Sequence, residues 1–162
     1  NISENDDTTC IALISGAFDT SGLCGQSELS IIIYDPVEEV FVKNILTELD
    51  ESGSFSFEVL GPANLDIYIK LEGYLQKRIE NVFVEANGSA TLEPGPIIVG
   101  DFSGDNQVNG VDFSLFSSSF FSSSGSESYN QIFDLDCSGT INGIDFSLFS
   151  NNFFSEGDSP PD

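Results

Sequence analysis

Two rhythms of apolar side chains run along this chain. Between residues 9 and 93, apolar and polar positions alternate in short runs, as in Phe55, Phe57, Val59 and in Leu65, Ile67, Ile69, Leu71. A period of two sends one set of side chains into a core and the other into water, which predicts strands. Seven such runs are legible: TCIALISGAF (9–18), LSIIIYD (29–35), EVFVKNIL (39–46), GSFSFEVL (53–60), NLDIYIKL (64–71), QKRIENVFVE (76–85) and SATLE (89–93). The breaks carry turn chemistry in Asp50-Glu51-Ser52-Gly53, Gly61-Pro62 and Asn87-Gly88, the last a type I′ hairpin pair. Seven short strands in this span predict an antiparallel, Ig-like β-sandwich.

From residue 100 the rhythm changes. GDFSGDNQVNGVDFSLFSSSFF (100–121) returns as FDLDCSGTINGIDFSLFSNNFF (133–154), and the two align without a gap. In each copy Phe recurs at i, i+3 and i+7 (Phe113, Phe116, Phe120; Phe146, Phe149, Phe153), which is one helical stripe. The stripe predicts that Phe113, Phe116, Phe146 and Phe149 are core. Of each doubled pair, Phe120-Phe121 and Phe153-Phe154, one member is expected against the sandwich or a partner.

Ahead of each stripe lies a twelve-residue loop. Calcium loops of the EF-hand type draw oxygen ligands from positions 1, 3, 5, 7 (a backbone carbonyl), 9 and 12. Here these are Asp101, Ser103, Asp105, Gln107, Asn109 and Asp112, then Asp134, Asp136, Ser138, Thr140, Asn142 and Asp145. All are oxygen donors, which suits a hard cation and predicts two Ca2+. Position 6, where the loop turns, is Asn106 or Gly139, both tolerant of positive φ. Val108 and Ile141 at position 8 are where the two loops can pair side by side. A plainer alternative, Asp/Asn-rich turns with Asp112 and Asp145 as helix N-caps, leaves the matched oxygen donors unexplained.

Charge strengthens this picture. The chain has 27 acidic and 4 basic residues, net −23, and all four cations (Lys43, Lys70, Lys77, Arg78) precede residue 96. So few cations argue against nucleic acid and against an anionic membrane surface. No apolar run approaches the length of a membrane helix, so no membrane insertion is expected. Three carboxylates crowded into each loop repel one another unless a cation joins them. A tail this small also needs a staple, and metal-binding energy is then folding energy.

Other chemistry is thin. Without His there is no Ser-His or Cys-His nucleophile and no His zinc site. The pairs Glu38-Glu39 and Asp50-Glu51 read as exposed turn charges, and no catalysis is expected. Cys10 and Cys24 flank one strand and form a candidate disulfide, leaving Cys137 as a small residue inside the second loop. Asn1-Ile2-Ser3 and Asn87-Gly88-Ser89 match the glycosylation acceptor pattern, so Asn1 and Asn87 are candidate sites, although Asn-Gly is also what a turn requires. The Asn start, with no signal-like segment, reads as a mature secreted chain, extracellular or at the cell surface. SSSFFSSSGSESYN (117–130) reads as a flexible connection with room for helix in its middle.

Two resemblances follow. ESGSFSFEVL, DIYIKLEGY and VFVEANGSATLEPG, within residues 9–95, are similar to the transthyretin-like, carboxypeptidase-regulatory-like sandwich. That resemblance implies a non-catalytic spacer, stabiliser or binding module. Residues 98–156, with duplicated loop-plus-helix units, Asp at position 12 and only the Pro/Gly linker EPGPIIVG before the first loop, resemble the type I dockerin. This implies a calcium-dependent module that docks on a cohesin-like partner. The implied contacts are Gly110, Val111, Ser117 and Ser118, with Gly143, Ile144, Ser150 and Asn151 in the second copy. The expected organisation is a sandwich domain over 1–95 and a dockerin-like domain over 96–162, together a non-catalytic extracellular assembly module. One alternative is a self-assembling fibre subunit, whose partner is a copy of itself through the acidic NISENDDTT start and the apolar repeat positions. A second is a carbohydrate-binding module, for which four Tyr (34, 68, 74, 129) and no Trp make a thin platform.

Overall fold

The computed structural model describes residues 10–20 and 23–161. Each of the seven alternating runs is a strand. One sheet has the order β4 (Ser54–Leu60), β1 (Ile11–Ala17), β8 (Ser89–Leu92). The facing sheet has the order β3 (Val40–Glu48), β2 (Glu28–Asp35), β5 (Ala63–Leu71), β7 (Lys77–Val84). The alternation delivers the core: Ala12 and Ile14 from β1, Phe55, Phe57 and Val59 from β4, and Leu29, Ile31 and Ile33 from β2 are buried. They meet Leu65, Ile67, Ile69 and Leu71 from β5. Each such aliphatic side chain contributes roughly 1.5–3 kcal/mol relative to exposure.

The sandwich departs from the expected pattern at one turn. Asn87 does take positive φ (56°), and Gly88 N–H closes a turn onto the Glu85 carbonyl at 3.0 Å. Yet β7 and β8 do not form a hairpin. β8 crosses to the other sheet and pairs with β1 in parallel, Leu13 opposite Ser89, while the remaining pairs are antiparallel. Core demand outweighs turn preference here, because Val84 and Leu92 are both buried in the same cluster from opposite sheets.

The central strand β5 is buried on both faces. Its outward Asp66 carboxylate accepts from Arg78 Nη2 at 2.5 Å and from Asn81 N at 3.0 Å. The same guanidinium lies 5.7 Å from the ring centroid of Tyr68. A buried carboxylate is tolerated because it is paired.

The supposed linker is partly strand. Gly73–Tyr74 (β6) pairs with Val99–Asp101 (β9), tying the tail to the end of the sandwich. Gly100 has φ 132°, and a Cβ there would lie 2.9 Å from Val108 Cγ1, so only glycine passes. The tail then forms α1 (Gly110–Ser117), a 3-10 turn at Gln131–Phe133 and α2 (Gly143–Ser150). The serine-rich connection holds turns and one isolated bridge rather than helix in its middle.

The Phe stripe is realised in part. Phe116 and Phe149 are fully buried and stack at 5.5 Å, with Phe102 stacked on both. Phe113 and Phe146 are exposed instead of core and meet edge-on at 5.9 Å. Eight-residue helices end before i+7, so Phe120 and Phe153 lie in the following turns, half-buried.

The disulfide is also different. Cys24 pairs with Cys137, across 113 residues of sequence, and not with Cys10. Cys10 sits before the start of β1, where its carbonyl accepts from Gly61 N at 2.8 Å. The seven residues of β1 carry the chain ~20 Å away before Cys24 is reached. Cys24 instead faces the tail, and its carbonyl accepts from Gln131 Nε2.

Candidate metal centre

Each loop is shaped by its own side chains. In the first, Asn109 is the N-cap of α1: its Oδ1 accepts from Val111 N at 2.7 Å. Asp112, three residues on, returns the favour by accepting from Asn109 N at 2.8 Å. This reciprocal capping box satisfies two orphan donors of the helix start. Asn142 and Asp145 repeat it at α2, at 2.8 Å in both bonds. The N-caps are thus Asn109 and Asn142, not Asp112 and Asp145, which close the boxes from N3 with one oxygen and turn the other into the loop.

The acids converge. Asp101, Asp105 and Asp112 each bring an oxygen within 4.8 Å of the others, and so do Asp134, Asp136 and Asp145. In both sets the first and last acids are buried and the middle one is exposed. The middle acid comes from position 5 in the first loop and position 3 in the second. Backbone N–H groups hold the carboxylates in place. Asp101 accepts from Gly104 N (2.8 Å) and Asn106 N (2.9 Å), and Asp134 from Ser138 N (3.0 Å) and Gly139 N (2.7 Å). Asp112 accepts from Ser103 N at 2.8 Å; Asp145 accepts from Leu135 N at 2.8 Å. The Gln107 N–H, foremost, holds the Asp105 carboxyl below its usual range, against the upward push of desolvation. Carboxylate oxygens carry two lone pairs, so these bonds leave capacity for a cation. Three carboxylates, hydroxyls and carbonyls with no nitrogen or sulfur ligand among them fit a hard divalent ion.

The remaining sequence-predicted residues fall around these acids. Ser138 Oγ and Thr140 Oγ1 lie 3.0 Å apart, and Asn142 Nδ2 donates to Thr140 Oγ1 at 3.1 Å. Gln107 forms a bridge with Glu156. Val108 and Ile141 are buried, but the loops do not pair with each other. Phe121 N donates to the Ile141 carbonyl and Phe154 N to the Val108 carbonyl, both at 2.8 Å. Each loop is therefore zipped to the chain leaving the other helix. Among the implied partner contacts, Gly110, Val111, Ser117, Ser118, Gly143, Ile144 and Asn151 are exposed and Ser150 is half-buried. Asn87 is exposed, and Asn1 lies outside the described residues.

Two residues escaped sequence reasoning, and a third, Asn106, does more than the turn role read from the sequence. Lys70 of β5 forms an ion pair with Asp101 Oδ2. Tyr129 donates its hydroxyl to Asp134 Oδ2 at 2.7 Å, which pushes its own pKa up to about 12. Asn106 accepts on Oδ1 from Gln76 N at 2.8 Å. Only Tyr129, five residues ahead of Asp134, lay close enough in sequence to be suspected.

A β-sandwich followed by a duplicated loop–helix unit defines the class. Residues 99–153 match the family model of the dockerin type I domain, which makes this stretch a protein–protein assembly module. Two solved structures are similar over nearly the whole chain, both titled as interface mutants of a type II cohesin–X–dockerin complex from Acetivibrio cellulolyticus. The C-terminal interface mutant shares 20% identity over 90% of this chain and 97% of that one, with a TM-score of 0.69. The N-terminal interface mutant shares 19% over 91% and 97%, with a TM-score of 0.64. At these identities the likeness establishes the fold. No curated protein matches the chain.

Proposed function

We propose that this chain is a non-catalytic, extracellular attachment module that binds two Ca2+ and thereby docks on a cohesin-like domain of another protein. The ligands are Asp101, Ser103, Asp105, Gln107, Asn109 and Asp112, with Asp134, Asp136, Ser138, Thr140, Asn142 and Asp145. Bound calcium supplies the positive charge that lets three carboxylates share one loop. The observation that carries the reading is the pairing of each acid cluster with a helix that leaves apolar side chains in water. Val111, Phe113 and Leu115 are exposed beside the first, and Ile144, Phe146 and Leu148 beside the second. Phe121 and Phe154, each 84% exposed, follow the two helices at positive φ, 64° and 69°. Aromatic residues held in a strained conformation and left in water are the expected anchors of a protein interface. The partner surface is accordingly apolar, and it meets two similar faces related by the repeat.

The test is calcium-dependent capture of a cohesin domain by the full chain. Binding in calcium that EGTA reverses, with an accompanying rise in Tm, is expected. Indifference of both to calcium sinks the reading. Phe121→Ser with Phe154→Ser should weaken capture at least tenfold while leaving the calcium-induced rise in Tm intact.

One observation favours self-assembly as a second reading. β3 is a nine-residue sheet edge with Val40, Phe41, Val42 and Leu46 exposed, and such edges recruit further strands. Sedimentation of the full chain at rising concentration separates the readings, since a fibre subunit associates without a cohesin. The carbohydrate reading loses its platform, because Tyr34, Tyr68 and Tyr74 are buried and Tyr129 is half-buried.

A further inference from the structure

The two loops are close copies, but only the first has a cation on its position-1 carboxylate. At position 1, Asp101 and Asp134 each take two backbone N–H bonds, from Gly104 and Asn106 in the first loop and from Ser138 and Gly139 in the second. The Oδ2 of Asp134, already bonded to Gly139 N, also takes a neutral donor, the Tyr129 hydroxyl. On the matching oxygen of Asp101 sits the ammonium of Lys70, reaching over from the sandwich. The Asp101 side chain is 0% exposed and that of Lys70 20%, so little water screens the charge from the carboxylates around it. The sequence neighbours of Lys70, Ile69 and Leu71, are fixed in the sandwich core. The other cations of the described residues are engaged elsewhere or lie on β3: Arg78 on Asp66 and Glu80, Lys77 Nζ on the Pro96 carbonyl, Lys43 in the edge strand.

We infer that Lys70 sets the calcium affinity of the first loop below that of the second, so that the sandwich decides the order in which the two sites fill. The inference rests on the calcium reading above. A resident cation does part of the metal's work in the first loop: it neutralises one carboxylate and holds the loop to β5 before calcium arrives. The same cation then opposes entry of a divalent ion. The second loop keeps its full negative charge, and its covalent tie to the sandwich, Cys137 to Cys24, is neutral. The second loop fills first and the first loop needs at least about tenfold more calcium, the scale of one unpaired charge at contact distance in a partly screened site.

Calorimetric titration of the chelator-stripped, oxidised full chain with CaCl2 tests this. Two classes of site separated by tenfold or more are expected. Lys70→Met raises the weaker affinity about tenfold and leaves the tighter one alone, whereas Lys70→Arg preserves the gap. In parallel, Lys70→Met lowers the metal-free Tm and enlarges the calcium-induced rise. Two equal sites in the wild type, or a gap that Lys70→Met leaves unchanged, overturn the inference while the calcium reading stands. No heat at either site overturns the calcium reading itself. Should Lys70→Met fail to fold without metal, the size of the wild-type gap still decides.

Discussion

Asn106 shows how much one residue carries. At φ 67° it makes the loop turn that a glycine makes at Gly139, and its side chain adds what glycine lacks. Oδ1 accepts from Gln76 N in the sandwich, and Nδ2 donates to the Asp158 carbonyl at 3.1 Å. Its own carbonyl accepts from Gly157 N at 3.0 Å. A Cβ on Gly157 would overlap Asn106 Oδ1 and crowd Gln76 N. Gly157→Val should therefore detach the Ser155–Asp158 strap, costing about 1–3 kcal/mol as overpacking does. Faster amide exchange at 155–158 and a lower Tm are expected, and an unchanged exchange pattern would count against the strap. Burial pushes the Tyr74 phenol up to about 12. Because the raised group stays neutral when folded, its contribution is intact below about pH 10 and is lost as pH rises through 12, amounting to roughly 2 kcal/mol by then. Absorbance titration should show a phenol that ionises only near pH 12, together with falling stability over that window.

At the scale of elements, α1 and α2 are too short to persist alone. They survive through capping boxes and through Phe116 and Phe149, buried one turn after Asp112 and Asp145. Asn142→Ala should cost about 1 kcal/mol, seen as a lower Tm with and without calcium. The disulfide ties the second loop to the sandwich over a long span of chain, so its loss should cost about 2–5 kcal/mol. Cys137→Ser and reduction should lower Tm alike, and a non-reduced digest should yield a peptide linking residues 24 and 137. The seven strands were legible because burial on one face imposes a period of two. Phe113 and Phe146 were misread because a stripe tells which side chains share a side of the helix and not how far along it the core extends; they meet each other at its exposed end.

For the whole molecule the joint is the informative region. Leu75, Val108, Leu135 and Phe149 form one buried cluster from both halves of the sequence. β6 with β9, the Lys70–Asp101 ion pair, the disulfide and the strap all cross the same boundary. Sandwich and tail should accordingly unfold as one unit when calcium is present. Calorimetry is expected to give a single transition that moves upward with calcium, and two independent transitions, only one of them calcium-sensitive, would refute the coupling. Among the described residues no helix is long and apolar enough to cross a membrane.

What the sequence determined by itself is what lies within a dozen residues: the strand alternation, the two oxygen-donor loops, the helices behind them and the acidic character that makes a cation welcome. Those patterns are local because hydrogen-bonding geometry and ligand reach are local. Only the tertiary structure decided that β8 crosses sheets, that Cys137 finds Cys24, and that Lys70 and Asn106 bind one loop to the sandwich. Each of those contacts joins residues separated by tens of positions, and their selection depends on which surfaces the buried core brings face to face, a property that no run of neighbouring side chains encodes.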